Sequence, residues 1–167
     1  MAMTALKGNP VNTNGNLPSN GQKAPDAVLV KKDLSEGSIH SYNGKTLILN
    51  IFPSIDTATC AMSVRKFNQE AASLTNAVVL CISADLPFAQ SRFCGAEGID
   101  KVETLSSFRS DFAEKYGVKM IDGPLKGLCA RSVVVINPKG DAVYSQLVGE
   151  IADEPDYAKA LEAAKNV

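Results

Sequence analysis

The sequence predicts an α/β domain with a mixed central sheet covered by helices on both faces. Three observations carry this. The apolar runs at 46–52 (TLILNIF) and 77–83 (AVVLCIS) read as strands buried on both sides. Between them, Cys60, Val64, Phe67, Ala71 and Leu74 recur at three- and four-residue spacing, the apolar face of a helix over about 58–72. The run at 132–136 (SVVVI) is followed by the turn Pro138-Lys139-Gly140-Asp141 and a returning strand at 142–148, which makes a hairpin.

The remaining elements follow in chain order. Residues 1–26 are polar, and Gly8, Pro10, Gly15, Pro18, Gly21 and Pro25 punctuate them from residue 8 onward. They are expected to form a turn-rich N-terminal extension packed on a single domain of residues 27–167. Segments 27–31 and 38–42 are short strand candidates. Pro53 ends the 46–52 strand. Pro87 opens a short helix at its first position, where a missing N–H costs nothing, and Phe88, Ser91 and Phe93 follow. Residues 102–105 are a further strand candidate. Residues 111–116 form a short helix stopped by Gly117. Residues 157–165 form a closing helix with Leu161 on its apolar side. The β-α-β start and β-β-α finish match the thioredoxin arrangement. A fold does not assign a function, so the site residues must do so.

A chain of 167 residues suits one domain with a real core. Its formal net charge of -1 provides no basic field to attract nucleic acid or anionic lipid. No run reaches membrane-spanning length, and the first 26 residues lack the apolar core of a secretory signal. A cytoplasmic protein without nucleic-acid or membrane partners is the expectation. The cysteines are Cys60, Cys81, Cys94 and Cys129, with no C-x-x-C pair, and His40 is the single histidine. That inventory suits neither a zinc ribbon nor a dithiol motif, so no metal and no cofactor are expected. In a reducing compartment such cysteines are buried small hydrophobes or catalysts.

The chemistry concentrates in Pro53-Ser54-Ile55-Asp56-Thr57-Ala58-Thr59-Cys60, between a buried strand and an amphipathic helix. Ligands collect outside the carboxyl ends of strands in such folds. Cys60 falls in the first helical turn, where backbone N–H groups lack intrahelical partners and the helix dipole favours an anion. A thiolate is stabilised there. Thr57 is placed to hydrogen-bond near the sulfur or an incoming substrate, or to cap the helix, and Pro53 is placed to shield the pocket from water. Asp56 is a second capping candidate, without a catalytic role. Cys81 lies inside a buried strand and reads as core. Phe88, Phe93 and Phe112 read as core or pocket wall. His40 reads as a solvated edge residue.

The pattern Pro53-x-x-x-Thr57-x-x-Cys60 resembles the active-site signature of the peroxiredoxins. The segments Leu6–Pro10, Asn50–Thr57, Ser83-Ala84-Asp85-Leu86-Pro87-Phe88-Ala89-Gln90-Ser91-Arg92-Phe93-Cys94 and Asp122–Leu128 extend the likeness across nearly the whole chain, to the bacterial thiol peroxidase subfamily. The resemblance implies a thiol-dependent peroxidase of antioxidant defence that reduces hydrogen peroxide and alkyl hydroperoxides. It implies Cys60 as the peroxidatic cysteine, Cys94 as the resolving cysteine in an intramolecular disulfide, and Arg131 as the arginine that holds Cys60 as thiolate. It further implies reduction by thioredoxin and a homodimer. Two departures stand out. Ala27 replaces a common Phe, and Cys129 replaces a common Ala. If Cys129 and Arg131 share one strand they point to one face, which would make Cys129 a candidate third redox thiol.

The implied reaction is attack of the Cys60 thiolate on peroxide to give a sulfenic acid, then condensation with Cys94. Because a disulfide needs Cα atoms within about 7 Å, unwinding around Cys60 and in 87–95 is expected between the two redox forms. Rival readings are a redox sensor or thiol–disulfide carrier using the same pair, a chaperone or scaffold on this fold, and a cysteine hydrolase. The last needs a neighbouring base, and His40 is its one candidate.

Overall fold

The computed structural model describes residues 1–167. The chain opens with β1 (Met3–Leu6) and β2 (Asn9–Asn12), an antiparallel hairpin with Met3 opposite Asn12 and Leu6 opposite Asn9. The sequence reading assigned no strand here. Its turn residues, Lys7 and Gly8, both have positive φ (52° and 82°), as a two-residue hairpin turn requires. Lysine rarely takes that conformation, so the turn carries no familiar signature. Pro10 is tolerated because each strand of a two-stranded sheet is an edge.

The strands that follow are β3 (Val28–Lys31), β4 (Glu36–Ser38), β5 (Thr46–Ile51), β6 (Ala77–Ser83), β7 (Glu103–Ser106), β8 (Ser132–Ile136) and β9 (Ala142–Leu147). They form one sheet in the order β4-β3-β7-β6-β5-β8-β9. β5 and β6 are parallel at its centre, with Leu49 opposite Leu80. β8 runs antiparallel on the other side of β5, with Leu49 opposite Val134. All residues of β5 and β8 are buried, which is why both read as unbroken apolar runs. The expected strand at 38–42 is corrected: it is a 3-10 turn, Ile39–Tyr42, following β4. Ser38 caps it by accepting the Ser41 N–H at 3.2 Å, a local bond that competes with strand pairing.

Alternate residues of the central strands face two packed layers. Leu47, Leu49, Ile51, Leu80, Ile82 and Val134 meet Leu29, Ile39 and the stacked rings of Phe112 and Tyr116. Phe112 opens α3 (Phe112–Lys115) on that side. Ile48, Val79, Cys81, Val133 and Val135 face the opposite layer. There α1 (Ala58–Ala71) contributes Cys60, Val64 and Phe67, α2 (Pro87–Glu97) contributes Phe93, and α4 (Tyr157–Lys165) contributes Ala160 and Ala164. The period-3.6 spacing seen in the sequence is therefore the face α1 turns to the sheet. Phe88 departs from its reading as core or pocket wall, since it is exposed on the first turn of α2.

Candidate active site

The end of β5 delivers the chain to the site. Phe52 and Pro53 are buried, and the turn through Thr57 leads into α1. Cys60 is the third residue of that helix and is fully buried. Its sulfur receives Nη2 of Arg131 at 3.2 Å. Arg131 immediately precedes β8 and is itself buried, with Nε donating to the Ile151 carbonyl at 2.8 Å. Its remaining terminal nitrogen, Nη1, is buried without a hydrogen-bond partner. The site therefore pairs a sulfur in a first helical turn with a desolvated cation and a spare donor. This arrangement places a charged donor against the sulfur and leaves a second proton-bearing nitrogen for another anionic or polar atom.

Thr57 is the N-cap residue of α1, yet its side chain makes no capping bond. The hydroxyl donates to the Ser54 carbonyl at 3.0 Å, which folds the turn on itself, and the residue is exposed. The capping alternative for Thr57 is thus corrected. Pro53 lies buried beneath the same turn. Asp56 does not cap either, and its carboxylate pairs with Arg92 at 2.8 Å on the surface.

Cys94 comes from a different helix, α2. It sits in the last turn of α2, not at a helix start, and is half-buried against the layer that holds Cys60 and Phe93. It lines a cleft of about 400 Å³ with Lys32, Ile99, Val102 and Thr104, to which Cys60 does not contribute. Burial raises the Cys94 thiol above its ordinary pKa, with the Lys32 charge opposing. All four cysteines are free thiols.

Cys129 does not share a face with Arg131. Residues 129 and 130 leave the β8 register and pair with 118 and 119: Lys119 bridges Cys129, and the Ala130 N–H donates to the Val118 carbonyl at 2.8 Å. Cys129 packs in the layer of Leu49 and Phe112, across the sheet from Cys60. Burial pushes its thiol, and that of Cys81, up to about 12. His40 is half-exposed, with Nε2 at 2.9 Å from the Ala24 carbonyl and Nδ1 near Asp26, so it supplies no base to Cys60.

Residues 19–161 match the family model described as Redoxin. The chain belongs to the Redoxin family. This Redoxin is 53% identical over 163 residues to the thiol peroxidase of Corynebacterium glutamicum, covering 98% of this chain and 99% of that one. It is 52% identical over 163 residues to the thiol peroxidase of Mycobacterium tuberculosis, covering 98% of each. Among solved structures, a peroxiredoxin-like protein from Aquifex aeolicus superposes with a TM-score of 0.95 at 40% identity, over 99% of this chain and 97% of that one. A thiol peroxidase from Chromobacterium violaceum superposes with a TM-score of 0.90 at 18% identity, covering 98% and 95% of the two chains, a likeness of fold.

The sequence reading of this Redoxin missed one part of the site and one residue that supports it from outside. The segment 150–152 closes over it: the Ile151 carbonyl holds Arg131, and the Ala152 carbonyl accepts the Thr59 hydroxyl at 3.0 Å. The N-terminal hairpin holds that segment in turn, since the Glu150 carboxylate accepts the Lys7 and Gly8 N–H groups and the Ile151 N–H donates to Ala5. Backbone carbonyls carry no sequence signature. The other missed residue, Asp85, accepts hydrogen bonds from Ser54 and the Ile55 N–H. The Asp in the Asp85-Leu86-Pro87 segment was the available signal.

Proposed function

We propose that this chain is a thiol-dependent peroxidase that reduces hydrogen peroxide and alkyl hydroperoxides, with Cys60 as nucleophile. The observation that carries the reading is Arg131 Nη2 at 3.2 Å from a sulfur buried in the first turn of α1. The Cys60 thiolate attacks the terminal oxygen of the peroxide, and the O–O bond breaks. The sulfur is oxidised to the sulfenic state, and the leaving oxygen takes a proton to become water or an alcohol. The free Nη1 of Arg131 and the N–H groups of the first helical turn are the donors toward the polarised O–O bond. In this reading the exposed Thr57 at the start of α1 borders the peroxide path, and the buried Pro53 keeps water from the sulfur; the support is their place in the turn that leads to Cys60.

Cys94 then condenses with the sulfenic acid, forming the S–S bond and releasing water. Cys60 and Cys94 stand on different helices, α1 and α2, and in this reading both segments unwind to bring the Cα atoms within bridging range. An external dithiol, thioredoxin in this reading, reduces the disulfide by exchange and leaves as its own disulfide. The protein acts as a homodimer in antioxidant defence in the cytoplasm, a reducing compartment that suits four free thiols. Residues 1–26 act as an extension that braces the domain of residues 27–167. No helix is long and apolar enough to cross a membrane.

The test is peroxide consumption coupled to thioredoxin, thioredoxin reductase and NADPH. Wild type turns over, Cys60→Ser is inactive, and Cys94→Ser reacts once with peroxide but loses thioredoxin-dependent turnover. An active Cys60→Ser variant overturns the assignment.

A further inference from the structure

One carboxylate ties the turn that leads into the Cys60 helix to the start of the helix that carries Cys94. Asp85 accepts the Ser54 hydroxyl at 2.8 Å through Oδ1. Its Oδ2 accepts the Ile55 N–H at 2.7 Å and the Ser83 hydroxyl at 2.6 Å. Its own carbonyl accepts the Ser106 hydroxyl at 2.5 Å, which moors the residue to the end of β7. The next residues, Leu86 and Pro87, are the N-cap and first residue of α2. Gln90, on the first turn of α2, donates to both Ser83 and the Leu105 carbonyl, so the network continues into that helix. On the other side, the Ile55 side chain is buried, so the N–H held by Asp85 belongs to an anchored part of the turn.

The pairing of Arg92 with Asp56 also joins the two segments, but both side chains are more than 60% exposed, where an ion pair adds little. Bonds to the half-buried carboxylate are charge-assisted and stronger. Asp85 touches neither sulfur.

We propose that Asp85 is a positioning residue that latches the Ser54–Ile55 turn to the root of α2, and that release of this latch opens both segments for the Cys60–Cys94 bridge. The inference rests on the reading of Cys60 and Cys94 given above. Peroxide attack uses the latched form, in which Cys60 faces Arg131, and bridging uses the released form. Losing the carboxylate shifts the balance toward release by at least about tenfold, the change that even one of its two charge-assisted bonds to the turn represents. While the latched form still predominates, this hardly alters the peroxide step. It accelerates the second.

The experiment follows both steps in single turnover, with one equivalent of peroxide, in wild type, Asp85→Ala, Asp85→Asn and Ser54→Ala. Hydrogen exchange of the amides is measured in the reduced proteins. In Asp85→Ala, bridge formation is expected to accelerate at least about tenfold, with the peroxide step changed less than about twofold. Amides of 55–61 should exchange faster by a similar factor while those of β5 and β8 hold. Excess peroxide should leave less sulfinic acid on Cys60. Asp85→Asn keeps an acceptor for the Ile55 N–H and should fall between wild type and Asp85→Ala. Ser54→Ala, which removes one of three donors, should change least.

Bridge formation at the wild-type rate in Asp85→Ala overturns the latch alone. Equal loss of protection in β5 and in the turn, in both Asp85 variants, also overturns it, since the carboxylate would then serve global stability. A wild-type protein that reacts with peroxide yet forms no Cys60–Cys94 bridge overturns the underlying reading, and the latch with it.

Discussion

Arg131 holds the Cys60 sulfur at 3.2 Å with one nitrogen and the Ile151 carbonyl at 2.8 Å with another. The guanidinium is thus aimed by the backbone of the segment between β9 and α4. In the reading proposed above, that backbone bond keeps the donor in place as negative charge moves from sulfur to the departing oxygen.

Substituting Arg131→Lys keeps the charge but not the fork. A single ammonium cannot serve Ile151 and Cys60 together with the same geometry, so the second-order rate with peroxide should fall by about 10²-fold. Stopped-flow measurement of Cys60 oxidation checks this. A rate within a factor of about three of wild type would show that charge alone suffices.

The buried thiols define an alkaline limit to stability. Burial raises Cys81 and Cys129 from 9.0 to about 12 in the folded state. Below pH 9 both are protonated in folded and unfolded chains alike, and the fold keeps its full stability. Between pH 9 and about 12 the unfolded chain ionises while the folded one does not, so stability is lost as pH rises. The slope is about 1.4 kcal/mol per pH unit for each thiol. Urea denaturation between pH 8 and 10.5 should show this decline, and Cys129→Ala should make it shallower. Iodoacetamide at pH 8 should leave Cys81 and Cys129 unmodified in the native protein and label all four cysteines in denaturant.

Ser63 stabilises the first turn of α1 from within. Its hydroxyl donates to the Cys60 carbonyl at 2.7 Å and accepts from Asn50 Nδ2 at 3.1 Å, with all three residues buried. Ser63→Ala should cost about 1–3 kcal/mol, because it leaves the buried Asn50 amide short of a partner. Urea denaturation measures the loss. A change below about 0.5 kcal/mol would mean that water or Cys81 takes over the amide.

The central strands were legible because burial on both faces writes itself locally as an unbroken apolar run. The runs at 77–83 and 132–136 match β6 and β8 residue for residue. The start of α1 was legible for a similar reason, since Cys60, Val64 and Phe67 record one helix face. The hairpin β1–β2 was not, because Lys7 takes a left-handed turn position that lysine does not advertise. The 3-10 turn at Ile39–Tyr42 rests on a serine cap that a strand pattern hides.

The sequence by itself determined the sheet-and-helix order and placed Cys60 at the opening of a helix, because both depend on side-chain periodicity within a few residues. Its likeness to known peroxidases pointed to Arg131 as well. Only the tertiary structure decided that Arg131 meets the sulfur 71 residues away, while Cys129, two positions earlier, turns into the opposite layer. It also decided that Asp85 ties the two cysteine-bearing segments together. These contacts depend on which strands lie side by side and in what register, and β8 must pair with β5 before Arg131 can face α1. Hydrogen bonds to backbone carbonyls and amides then complete the site, and every residue carries those groups whatever its identity.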